Sequence, residues 1–176
     1  LKGRELKQQI PDIIDQVIKV GLGFDLHRLR EGVPLFLGGV EIPYPKGLEG
    51  HSDGDVLLHA IADALLGALS LPDIGELFPP SGEKFRGIRS TEILKRAGEL
   101  VRERGYEIVG IDTVVVAEEP KISPYKDRMK KAIGEVLGIS PQVIGIKGKT
   151  AEGTGEVGRG EAIQAYAVCV LRRRDD

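Results

Sequence analysis

The stretch GLGFDLHRLREGVPLFLGG, Gly21–Gly39, places a carboxylate and an imidazole, Asp25 and His27, two positions apart in an apolar, glycine-rich run. Its patterning predicts strands over 19–26 and 34–38, joined by the connection REGVP. Successive side chains of a strand point to opposite faces, so residues two apart share a face and can converge on one point. The run therefore holds both a strand and the first half of a candidate site.

Outward from it the period changes. In HSDGDVLLHAIADALLGALSLPDIG, His51–Gly75, the residues Val56, Leu57, Ala60, Leu65 and Leu66 suit a buried helix. Ser52 or Asp53 is the expected N-cap, and the helix must stop before Pro72. Residues 72–89 are rich in glycine and proline and read as a long loop, which in a compact domain is usually functional or mobile. A second helix is expected from Thr91 to Arg104, ended by Gly105. A third is expected in SPYKDRMKKAIGEVLGISP, with Ser123 as N-cap, Pro124 at the first position and Gly138 past the end. IDTVVVAEE, QVIGIKGKT and EAIQAYAVCVLR supply further strands, the first dense in β-branched residues.

This order predicts an α+β fold: a single-domain, two-layer sandwich with one mostly antiparallel or mixed sheet and helices on one face. Ile or Val at positions 10, 13, 14, 17 and 18 makes residues 1–18 read as a leader helix or linker, leaving 19–172 as the domain.

Composition excludes several classes. At 176 residues, with 41% hydrophobic and 30% charged residues, the chain suits one globular domain. A net charge of −2 without a basic cluster argues against a nucleic-acid partner. No apolar run approaches the roughly 18 residues that span a bilayer. The single Cys169 precludes an internal disulfide and suits a reducing compartment, bacterial cytoplasm or plastid stroma.

All three histidines, His27, His51 and His59, lie between residues 27 and 59, beside Asp25, Asp53, Asp55 and Asp63. Alone, Asp-x-His reads as a surface pair, and His59 reads as a satisfied core histidine. An unpaired buried imidazole is costly, and a single divalent ion would answer both features. Asp25, His27 and His59 form a donor set typical of catalytic zinc, with the fourth position left for substrate. Asp55 and Asp63 lie one helical turn either side of His59, and either could orient its second ring nitrogen.

His51-Ser52-Asp53-Gly54-Asp55 opens the helix, where free N–H groups and the dipole favour an anion. IKGKTAEGTGEVGRGE sets Lys147, Lys149, Thr150 and Arg159 among glycines, a composition able to receive phosphate although it lacks P-loop spacing. Glu152 adds a carboxylate suited to Mg²⁺ or Mn²⁺. AEEPKISPY turns through Pro120 and offers backbone groups to a flat ligand edge.

The segments GFDLH, LGGVEIPYPKGLEGHSDGDVLLHAIADALLGA, DIGELFP, AEEPK and KGKTAEGTGEVGRGE, in this order, resemble the 2-C-methyl-D-erythritol 2,4-cyclodiphosphate synthase family of non-mevalonate isoprenoid biosynthesis. The resemblance runs from about Lys19 to Leu171. It implies that Asp25, His27 and His59 bind Zn²⁺ at the substrate, and that His51 and Ser52 contact substrate phosphate. Asp73 and Gly75 would hold the methylerythritol hydroxyls, and Ala117, Pro120 and Lys121 the cytidine. Lys149 and Thr150 would contact the diphosphate and Glu152 a Mg²⁺ or Mn²⁺ ion, with His51 and Thr150 stabilising the transition state. The implied reaction converts 4-CDP-2-C-methyl-D-erythritol 2-phosphate to the 2,4-cyclodiphosphate and CMP.

The resemblance further implies a homotrimer with active sites between chains, metal ligands coming from one chain and the cytidine-binding segments from its neighbour. Three sheets would surround a central apolar cavity, where some members bind an isoprenoid diphosphate through the arginine matching Arg159. In some bacteria the domain is fused behind the pathway's cytidylyltransferase, and residues 1–18 would suit such a linker. The chain departs from the family pattern at Phe78-Pro79-Pro80-Ser81-Gly82, where F-P-D-T-D is usual, and at Arg89, usually acidic. Glu156 stands where an aromatic is common and would repel an isoprenoid diphosphate. Two other readings use the same residues: a zinc-dependent phosphohydrolase that activates water, and a trimeric scaffold that binds an isoprenoid diphosphate without turnover.

Overall fold

The computed structural model describes residues 18–79 and 87–174, so residues 1–17 of the leader reading and the Pro80-Ser81-Gly82 departure lie outside the described residues, while Ile18 is already in a strand. The elements in chain order are β1 (Ile18–Glu31), β2 (Leu35–Leu37), β3 (Val40–Ile42), β4 (Lys46–Leu48), α1 (Val56–Ala68) and α2 (Ile74–Leu77). There follow α3 (Ser90–Glu103), β5 (Tyr106–Val116), α4 (Lys126–Leu137), β6 (Ile144–Lys149), α5 (Gly155–Gly158) and β7 (Ala162–Arg173). Five strands form one mixed sheet in the order β4-β1-β7-β5-β6, and β2 and β3 form a separate hairpin. β1 and β5 flank β7 antiparallel, while β5 and β6 run parallel. The architecture is a single α+β domain with a mixed sheet.

The alternation in β1 assigns its faces. Gly21, Gly23 and Leu29 are buried and Asp25 and His27 half-buried, whereas Ile18, Val20, Leu22, Phe24 and Leu26 are exposed on the other side. In β7, Ala165, Ala167 and Cys169 are buried while Tyr166 and Val168 are exposed. Helices therefore cover one sheet face, and the other carries a broad apolar surface of a kind that usually meets a partner.

The glycines of β1 let α1 lie unusually close. A Cβ at Gly21 would stand 1.8 Å from the Ala64 carbonyl oxygen, and one at Gly23 would stand 1.9 Å from that of Ala60. Two strand residues advance about 6.6 Å and four helical residues about 6 Å, so the rows Gly21-Gly23 and Ala64-Ala60 stay in step. Asp25 follows on the same face of β1 and meets His59, the residue just before Ala60, at 2.8 Å.

Several sequence expectations are corrected locally. Asp55, not Ser52 or Asp53, caps α1: its carboxylate accepts from Leu58 N–H and also from Gly38 and Gly39 N–H at 2.9 and 2.7 Å. Gly38 and Gly39, both at positive φ, turn the expected 34–38 strand into the β2–β3 hairpin. Ser123 caps nothing, since Ser123–Tyr125 is a 3₁₀ turn before α4. The long loop contains α2, capped by Asp73. Gly138 takes the left-handed conformation expected past the end of α4, at φ 68°.

Candidate metal centre and active site

β1 and α1 bring Asp25, His27 and His59 together, with their ligand atoms all within 4.8 Å of one another. Asp25 Oδ2 lies 3.0 Å from His27 Nε2 and 2.8 Å from His59 Nδ1, so one oxygen and two ring nitrogens face the same small space. Burial pushes the Asp25 carboxyl up, but the two imidazoles outweigh it and hold the group well below the usual carboxylate range. Burial pulls His27 down, and its bond and charge interaction with Asp25 reverse this to a net rise.

The outward ring nitrogens are also held. His27 Nδ1 lies 2.5 Å from the Glu49 carbonyl oxygen, an acceptor only, so Nδ1 carries the proton and Nε2 faces inward. His59 Nε2 lies 2.8 Å from Ser90 Oγ and 3.2 Å from Ser52 Oγ. Two imidazole nitrogens and a carboxylate oxygen with fixed outer partners are a donor set that fits Zn²⁺ or a similar divalent ion.

Asp55 and Asp63 do not play the part expected from their spacing. Asp55 is occupied by three backbone N–H groups. Asp63 accepts from Ile74 N–H at 2.8 Å and so ties α1 to the start of α2. Burial raises the Asp63 carboxyl above the usual range, with the Ile74 bond opposing. The residue that faces His59 is Ser90, whose position at the head of an amphipathic helix reads in sequence as an ordinary cap.

A cavity of 230 Å³ opens over the three donors, lined also by His51, Ser52, Ile74, Gly75, Phe78, Ile88 and Ile93. The N–H groups of Gly54, Asp55 and Leu58 are taken by Ser52, Asp53 and Asp55. His51 and Ser52 line the cavity, and Ser52 Oγ also lies 3.2 Å from His59 Nε2. Asp73 caps α2 beside it through Glu76 N–H at 3.0 Å.

The remaining candidates gather elsewhere. Ala117, Glu118, Pro120, Lys121, Ile122, Ser123, Gly148, Lys149 and Thr150 line a second cavity of 310 Å³ that shares no residue with the first. Its two walls are joined by Ala117 N–H on the Lys149 carbonyl at 2.9 Å and Ala151 N–H on the Glu118 carboxylate at 3.2 Å. Thr150 donates to Glu152 Oε1 at 2.8 Å, and Glu152 is exposed beside the cavity. Lys147 pairs with Asp112 instead of lining the pocket. Arg159, expected at the ligand, lines neither cavity: its guanidinium forks onto Glu161 at 2.9 and 3.2 Å, with Glu156 4.0 Å away. Among the described residues no helix is long and apolar enough to cross a membrane.

Comparison with known proteins identifies the family. The YgbB family model matches residues 18–172. A 2-C-methyl-D-erythritol 2,4-cyclodiphosphate synthase of Treponema denticola is 51% identical over 154 residues, covering 88% of this chain and 96% of its own. A solved CDP-bound form of a 2C-methyl-D-erythritol-2,4-cyclodiphosphate synthase superposes with a TM-score of 0.81 at 39% identity, covering 87% of this chain and 99% of that one. The bifunctional IspDF of Campylobacter jejuni superposes at 0.86 with 42% identity over 90% of this chain, which spans 43% of that longer protein. The chain belongs to the YgbB family, that of the 2-C-methyl-D-erythritol 2,4-cyclodiphosphate synthases.

Proposed function

We propose that this chain converts 4-CDP-2-C-methyl-D-erythritol 2-phosphate to 2-C-methyl-D-erythritol 2,4-cyclodiphosphate and CMP. The observation that carries the reading is the Asp25–His27–His59 cluster opening into a cavity, with a separate cavity formed by the 117–123 and 148–150 segments. In the reaction a 2-phosphate oxygen forms a bond to the β-phosphorus, and the bond from that phosphorus to the bridging oxygen breaks. The bridging oxygen leaves with CMP.

The attack is intramolecular, so the protein's main task is to fold a flexible polyanion into a ring-closing geometry. Such alignment can supply up to about 7–11 kcal/mol of the barrier. His51 and Ser52 would take the substrate phosphate at the metal pocket, and Asp73 and Gly75 the methylerythritol hydroxyls. Lys149 and Thr150 would hold the diphosphate, with the cytosine against Ala117, Pro120 and Lys121. Asp25, His27 and His59 would hold Zn²⁺, and Glu152 a Mg²⁺ or Mn²⁺ ion at the phosphates; such cations withdraw charge from the reacting phosphorus and from the leaving group. Hydrogen-bonding groups placed where charge develops, with His51 and Thr150 proposed for that part, would stabilise the transition state.

The two cavities belong to one substrate if they come from different copies. The exposed apolar face of β1 and β7, carrying Leu22, Phe24, Leu26, Tyr166 and Val168, supports a homotrimer in which three sheets meet and each metal pocket faces a neighbour's nucleotide pocket. The length of the Campylobacter jejuni bifunctional protein supports a fusion or association with the pathway's cytidylyltransferase, residues 1–18 acting as linker to the 19–172 domain.

The test is incubation of the chain and the CDP-methylerythritol phosphate with Zn²⁺ and Mg²⁺, followed by ³¹P NMR. CMP and cyclic diphosphate signals are the expected result, and their absence would sink the proposal. In ¹⁸O-labelled water, label appearing in the phosphate product would mark a phosphohydrolase instead.

A further inference from the structure

Behind the metal pocket, Ser90 is fully buried at the first position of α3, its hydroxyl between His59 and Asp53. We propose that Ser90 and Asp53 are positioning residues: Asp53 accepts the hydrogen bond that the Ser90 hydroxyl donates, which forces Ser90 Oγ to accept from His59 Nε2–H. The His59 Nδ1 lone pair is thereby turned toward Asp25 and His27. The inference rests on the reading of these three residues as a metal site.

The assignment follows from donor counting. A hydroxyl has one proton, and a carboxylate that is ionised can only accept. Asp53 Oδ1 lies in very short contact with Ser90 Oγ, and both Asp53 oxygens lie 3.3 Å from Ser90 N. With its proton committed there, Ser90 has only lone pairs to offer the imidazole 2.8 Å away. Ser52 Oγ, 3.2 Å from His59 Nε2, is the poorer partner and already receives Gly54 N–H at 3.1 Å. The chain carboxylate–hydroxyl–imidazole also pushes electron density toward Nδ1, as direct carboxylate–histidine pairs do at metal centres.

His27 has a backbone carbonyl for the same purpose, but His59 sits on a helix whose own carbonyls are committed. Its orienting partner must come from another element. Asp53 also explains why α3 needs no cap of its own. Arg89 at its N-cap makes no side-chain cap bond, and Asp53 receives the first N–H of the helix instead. One carboxylate thus docks α3 and sets the His59 tautomer, so the two events are linked.

The experiment measures Zn²⁺ affinity of the full chain by competition with a chromophoric chelator, alongside the melting temperature of the chelator-treated protein. Ser90→Ala should weaken Zn²⁺ binding roughly 10–100-fold with little change in metal-free melting, and Ser90→Thr should restore it. Asp53→Asn, which keeps an acceptor but loses the charge, should weaken it by a smaller factor. In the Zn²⁺-loaded wild type, ¹H–¹⁵N NMR should show a slowly exchanging His59 Nε2 proton that Ser90→Ala abolishes. Wild-type affinity in Ser90→Ala, or metal on Nε2 in place of Nδ1, overturns the relay alone. If Ser90→Ala does not fold, unchanged affinity in Asp53→Asn overturns it. A wild-type chain that binds no Zn²⁺ overturns the metal reading and the relay with it.

Discussion

In the metal pocket each histidine is gripped from behind, His27 by the Glu49 carbonyl and His59 by Ser90, whereas the pocket between Ala117 and Thr150 presents exposed side chains on two joined backbone segments. The first is organised before any ligand arrives. In the second, Lys121 and Lys149 are exposed, and Thr150, also exposed, is held only by its neighbour Glu152. The difference teaches where precision is needed: ligand atoms of a cation must converge within a few tenths of an ångström, while a nucleotide can be read by a turn.

The strongest way to break the organised half is through its glycine seam. Gly23→Ala puts a Cβ into the Ala60 carbonyl, a backbone atom that cannot yield, and should destabilise the chain by about 3 kcal/mol or more and abolish metal binding. Gly67→Ala is the control, since its nearest contact is 3.7 Å away, and it should stabilise α1 by up to about 1 kcal/mol. Urea melts of both variants check the pair. Equal stability would mean that the close approach of β1 and α1 is not what holds the site.

Next in size, His59→Ala should eliminate Zn²⁺ binding and lower turnover by about a thousandfold or more, without loss of CDP binding at the second pocket. Calorimetric titration with CDP checks that retention. A smaller and complementary loss is expected for Thr150→Ala: kcat falls by roughly tenfold to a hundredfold, and Zn²⁺ affinity remains that of the wild type. If Thr150→Ala also weakened Zn²⁺, the two pockets would not be the independent halves their linings indicate.

The smallest effect concerns Asp63, which joins α1 to α2. Its folded carboxyl is raised above the unfolded value by burial, so its stability contribution is fully present below the unfolded pKa and lost as pH rises through the folded one. Asp63→Asn keeps an acceptor for Ile74 N–H and cannot ionise. Chelator-treated Asp63→Asn should therefore show a flatter dependence of melting temperature on pH, from 4 to 7, than the wild type. Parallel curves would contradict this.

The two halves were also unequally legible in sequence. Gly21, Gly23, Asp25 and His27 alternate on one strand, and the helical spacing of Val56 to Leu66 carries His59, so local periodicity together with the clustering of the histidines points to the metal cluster. The cap of α1 was not readable, because Ser52, Asp53 and Asp55 are all acceptable caps. What decided among them was the pair of amides at Gly38 and Gly39, contributed by a distant hairpin. Ser90 is not legible for the same reason: its hydroxyl answers to a histidine on another helix rather than to its own. Asp55 and Asp63 have the right spacing from His59, yet spacing cannot show that backbone amides have already claimed their carboxylates.

Subunit complementation tests the central claim, a site assembled from one copy's metal pocket and a neighbour's nucleotide pocket. His59→Ala and Thr150→Ala chains, each of low activity and natively folded, are co-refolded in equal amounts and assayed for CMP release. Random mixing in a cyclic assembly leaves about one quarter of the sites with both halves intact, so the mixture should recover about a quarter of the wild-type rate. Activity no greater than the average of the two separate variants would contradict the account.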